Sequence, residues 1–162
     1  MDTNAFDLLK QYNPCCKRWL QGRTVQQALA ECKRGEWLLW AYVNLYPERD
    51  IFEAKCKVLL TVLPECAETV KSNSDTSWLT EKAFRARNAV CCPTTLILAT
   101  LAKVEVCLVR DPSILFVDHI LEVIYLRVKQ IKPKLAAKAR NSANRRIANV
   151  LREELWPNGL ES

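Results

Sequence analysis

Ile114, Val117, Leu121, Ile124, Val128 and Ile131 recur at alternating spacings of three and four, which traces one continuous apolar stripe along a helix. A strand changes face at every residue and cannot bring these six together. Asp111-Pro112-Ser113 before the stripe and Lys132-Pro133 after it both stop a helix. The spacing therefore predicts a helix over 114–131, and its unbroken stripe predicts a central one. The chain has only 3 glycines in 162 residues, at positions 22, 35 and 159. Hairpins and tight turns draw on glycine, so this scarcity favours helices elsewhere too. The length suits one domain, long enough to bury about 70 % of its unfolded surface. The expectation is all-α: a single compact domain, 1–162, of about seven to nine short helices.

Other segments carry their own signals. Residues 4–12 form a short segment that stops at Asn13-Pro14. Thr24 with Gln27 has the form of a capping box, predicting a two-turn helix that ends near Cys32. Gly35 sits at the next helix boundary, Glu36 places a carboxylate in its first turn, and Trp37 and Trp40 share a face before Pro47 ends it. These tryptophans read as core anchors, with a binding surface as the other reading. Over 48–71 a stripe of Phe52, Cys56, Leu59, Leu63, Cys66 and Val70 is interrupted by Pro64, which predicts a kink or two helices. The polar run 71–77 reads as a loop and 78–90 as a helix. Pro93 suits the first position of a helix reaching Val109, with Ile97, Leu101, Val104 and Leu108 inward. The last helix, 134–155, turns Ala139, Ala143, Ile147 and Val150 inward.

The string Cys32…Gly35-Glu36-Trp37-Leu38-Leu39-Trp40 resembles the Cys-x-x-Gly-Asp-Trp-Leu-Leu-Trp signature of an all-helical family related to the type-five immunity proteins of bacterial polymorphic toxin systems, which has phage-borne relatives. Trp19 and Thr24…Ala28 extend the likeness upstream, and Ala148-Asn149-Val150-Leu151-Arg152 with Trp156-Pro157 is similar to the family's closing segment. The middle of the chain matches only in helical pattern. Glu36 and Asn149 stand where the family carries aspartate. The resemblance implies a protein that binds and neutralises a cognate toxin or effector, or a phage-borne relative turned to another target.

Eight cysteines, at 15, 16, 32, 56, 66, 91, 92 and 107, fall outside any Cys-x-x-Cys spacing, and His119 is the only histidine. They read as free thiols in a cytoplasmic chain, since the amino terminus lacks a signal-peptide pattern. No metal and no cofactor is expected. The most apolar segment, 89–109, contains Pro93, Lys103 and Glu105, so no membrane partner is expected either. No nucleotide-cradle or hydrolase motif occurs, and His119 reads as a residue on a helix surface beside Asp118 and Glu122. The chain reads as non-enzymatic.

Charge is concentrated late in the chain. The formal excess is +6, and 123–152 carries 9 basic residues (Arg127, Lys129, Lys132, Lys134, Lys138, Arg140, Arg145, Arg146 and Arg152) with no Asp or Glu. Lys134, Lys138, Asn141, Arg145 and Arg152 recur at helical spacing along one face, a basic ridge opposite the alanine stripe. Three readings follow: a solvated face, a contact to an acidic protein, or phosphate binding to nucleic acid through 127–152. That segment contains no aromatic residue for stacking bases. The expected partner is an acidic protein; nucleic acid is the alternative.

Overall fold

The computed structural model describes residues 17–63, 93–109 and 115–158. Its helices are α1 (Lys17–Leu20), α2 (Val25–Glu31), α3 (Gly35–Leu45), α4 (Phe52–Val62), α5 (Pro93–Val109), α6 (Phe116–Ile131), a 3-10 turn at Pro133–Leu135, and α7 (Ala136–Leu155). Among the described residues there is no strand, and the helices close on one core as a single compact all-α domain. The segment 4–12, the vicinal cysteines, Pro64, Cys66, Val70, the 71–77 run, the 78–90 helix and 111–114 lie outside the described residues.

Local signals place the first helices. Gly22 takes φ +80°, a backbone conformation that costs glycine nothing, and turns the chain from α1 into α2. Thr24 then accepts the Gln27 N–H while the Gln27 side chain accepts the Thr24 N–H, so the capping box is complete and α2 ends with Cys32 as its C-cap. α4 stops at Leu63, before Pro64, and Pro93 opens α5.

α6 packs along both α5 and α7, and also meets α3; α7 lies against α3, α4 and α6. The 114–131 stripe is thus central over its first half, where Phe116, Val117, Ile120, Leu121 and Val123 are buried. Its second half departs from the expectation: Ile124 and Val128 are half-buried and Ile131 is 79 % exposed. On α7 the inward face is Ala136, Ala143, Asn144, Ile147, Ala148, Leu151 and Leu155, which leaves Ala139 and Val150 at its edges. On α4 it is Ala54, Lys55, Val58 and Leu59, with Phe52 and Cys56 half-buried. On α5, Ile97, Val104 and Leu108 are buried as expected, with Leu101 partly so.

Polar side chains complete helix ends across the core. The last carbonyls of a helix lack intrahelical donors and carry partial negative charge, so cations suit them. Lys55, only 1 % exposed, donates from Nζ to Cys107 O at 3.0 Å in the last turn of α5. Arg146 donates to Thr61 O of α4 at 2.8 Å. Arg152 donates to Leu29 O at 2.6 Å and Cys32 O at 2.9 Å, at the end of α2. Asn144 serves the opposite kind of end, accepting the Gly35 N–H where α3 begins.

Candidate partner-binding cleft

Within the Cys32–Trp40 string, Lys33, Arg34 and Trp37 line a cleft. Cys32 is buried, its thiol donates to Arg34 O at 3.4 Å, and burial pushes the thiol above its ordinary range. It is a core residue, and Cys56 is likewise raised by burial. Gly35 meets α7 so closely that a Cβ there would lie 2.5 Å from Ile147 Cγ2. Its N–H reaches Asn144 Oδ1 at 2.6 Å, while Asn144 Nδ2 donates to Glu36 Oε2 at 2.8 Å and Arg34 Nε donates to Glu36 Oε1 at 2.6 Å. Glycine and carboxylate at 35 and 36 therefore let α3 dock on α7 and fix the orientation of the Asn144 amide.

Trp37 and Trp40 are half-buried at the rim of the core. Trp37 leans on Trp19 with ring centroids 5.5 Å apart, and each indole carries a guanidinium on its face: Arg23 over Trp19 and Arg34 over Trp37, both 4.4 Å from the centroid. Arg23 also pairs with Glu31 at 3.0 Å and donates to Trp19 O. The result is a braced Arg-Trp-Trp-Arg wall. Lys33, Asn149, Arg145 and Arg152 line the same cleft, so five basic side chains surround it against the single carboxylate of Glu31.

A second cleft adjoins the first and shares Lys33, Arg34 and Arg145 with it; Glu36, Asp118, Glu122 and Arg140 line the rest, so its charge is mixed. Burial and the nearby Glu36 carboxylate raise the Asp118 pKa, against the opposing pull of Arg34. His119, on the same helix, is held below the usual imidazole range by burial and by Lys103, with Glu122 acting the other way. Among the described residues no group of three His, Cys, Asp or Glu is placed to hold a metal ion.

The chain matches no family model, no curated protein and no solved structure.

The basic ridge divides in this arrangement. Arg145 and Arg152 line the cleft, whereas Lys134 and Lys138 lie at the far end of the α6–α7 hairpin; even Lys138 is about 10 Å from Arg145 along the helix axis. Arg152 is not a free surface cation, since its guanidinium is spent on Leu29 O, Cys32 O and Asn149 Oδ1. Among the described residues Arg145 and Lys33 have no ion-pair partner, and both are exposed. Sequence spacing along one helix missed Trp19, Arg23, Lys33 and Arg34, which come from α1 and the two connections flanking α2. The aromatic residues lacking in 127–152 are thus supplied to Arg145 from other helices.

Proposed function

We propose that this chain is a non-enzymatic, cytoplasmic binding domain, resembling an immunity protein, that captures an acidic protein partner such as a toxin or effector in the Trp19–Trp37–Arg145 cleft. The observation that carries this reading is the braced aromatic wall sharing one cleft with the exposed cations Lys33 and Arg145. Tryptophan and arginine dominate the energetics of protein interfaces because they offer large, rigid contact area and charge together. Arg23 and Arg34 are already held by Glu31, Glu36 and the indoles, so little side-chain freedom is lost when a partner docks. Lys33 and Arg145 then steer an acidic surface into place.

Nucleic-acid binding is the second reading, favoured by the same juxtaposition of half-buried indoles with Arg145. Capture from nuclease-treated and untreated lysate, at low and moderate salt, separates the two. One protein retained under every condition, and lost with Arg145→Glu, supports the inhibitor reading. Recovery that disappears on nuclease treatment or with added salt replaces it with nucleic-acid binding.

A further inference from the structure

The α6–α7 corner is not absorbed by the cleft. We propose that it is a peripheral anchor for an anionic phospholipid surface. Every residue from Lys129 to Leu135 is exposed, as is Lys138. Within this run Ile131 is 79 % exposed and Leu135 45 %, although both are residue types that ordinarily pack inside. Lys129, Lys132, Lys134 and Lys138 surround them, and no Asp or Glu occurs between positions 123 and 152. The 3-10 turn at the tip packs on α6 and α7; Lys129 and Lys138 come from those helices, Lys134 from the turn itself and Lys132 from the residue before it. Behind the tip, Tyr125 holds the Arg140 guanidinium 4.9 Å and the Lys129 ammonium 5.7 Å from its ring centroid.

The chemistry fits a bilayer surface better than a protein groove. None of residues 129–138 lines either cleft, whereas the cleft is the concave element suited to a protein partner. Two aliphatic side chains on an exposed turn reach the boundary between headgroups and acyl chains, while the lysine stems lie along it and leave their ammonium groups among the phosphates. The contact is one of surface only: no helix of the described residues is long and apolar enough to cross a membrane. A surface anchor at this tip departs from the sequence expectation of no membrane partner, which rests on the most apolar segment, 89–109, and says nothing of 129–138. It is also independent of the cleft reading, because Arg145, Lys33, Trp19 and Trp37 play no part in it.

Co-sedimentation of the full chain with vesicles tests the anchor, comparing phosphatidylcholine alone with phosphatidylcholine containing about one-third phosphatidylserine. The expected result is partitioning to the anionic vesicles only, reduced about fivefold for each lysine neutralised in Lys132→Gln and Lys134→Gln. Ile131→Ser with Leu135→Ser reduces it further, and both sites are exposed, so circular dichroism and the melting temperature stay at the parent values. Equal pelleting with both vesicle types overturns the anchor. So does an Ile131→Ser, Leu135→Ser variant that pellets like the parent and is displaced by soluble polyglutamate, which would make the corner a second acidic-protein contact.

Discussion

Asn144 accepts the Gly35 N–H through its side-chain oxygen at 2.6 Å, joining the first residue of α3 to the middle of α7 across 109 positions of sequence. Arg34, the residue before α3, makes no side-chain cap of its own, so the cap comes from another helix. Asn144 is 8 % exposed and its amide also binds Glu36. Replacing it by Ala strands two polar groups at a buried contact and costs about 1–3 kcal/mol, read by urea denaturation. Asn144→Asp keeps an acceptor for Gly35 but sets a carboxylate against Glu36. Its deficit relative to the parent is larger at neutral than at acidic pH; equal deficits would remove the Glu36 contact from the account.

Gly35→Ala tests the approach of α3 to α7. Alanine is the better helix former, but its Cβ would meet the branched, fully buried Ile147 at 2.5 Å. Overpacking wins, and the variant loses about 1–3 kcal/mol. In an Ile147→Ala background the same change costs less, because the opposing methyl is gone. A Gly35→Ala protein as stable as the parent would show that the two helices can separate cheaply.

Two arginines on one ridge separate by role. Arg152→Ala leaves the carbonyls of Leu29 and Cys32 without their charged donor and lowers stability by about 1.5–3 kcal/mol, and Arg152→Lys recovers only part because an ammonium lacks the forked donor geometry. Arg145→Ala stays within about 0.5 kcal/mol of the parent, since its side chain is exposed, and acts on partner capture instead. Thermal melts of the three variants decide this; equal losses at 145 and 152 would refute the division.

His119 gives a pH dependence of definite sign. Burial first, then Lys103, lowers its folded-state pKa, so as pH falls through the ordinary imidazole range the unfolded chain takes up a proton that the folded chain resists. Its contribution is present above that range and is lost on acidification below it. Between about pH 7.5 and pH 5, His119→Gln loses less stability than the parent. Identical pH profiles for the two proteins would contradict the burial of the ring. Asp118 works in the opposite direction, because its raised pKa favours the folded state on acidification, so the comparison is made with Asp118 intact.

What sequence revealed depended on range. The Thr24–Gln27 box lies within four residues and was readable, as were the start of α5 at Pro93 and the start of α3 at Gly35. The 114–131 stripe predicts α6 but not its exposed tip, because periodicity reports which residues share a face and not which part of that face another helix covers. Periodicity likewise presents the ridge on α7 as one uniform face. That Arg146 and Arg152 meet carbonyls while Arg145 meets solvent is decided by α2 and α4, 85 to 123 positions away. The Trp19–Trp37 wall was invisible until α1 and α3 were side by side.

The cross-helix caps impose an order on the molecule. Asn144 completes the start of α3, Arg146 the end of α4 and Arg152 the end of α2, so three helices that emerge early in synthesis are finished by one that emerges late. Until 136–155 has left the ribosome and docked, the amino-terminal half exposes open helix ends and the apolar faces behind them. A nascent chain stalled before that point leaves those groups in water, and the cleft that Trp37 and Arg145 line together forms only when α7 arrives.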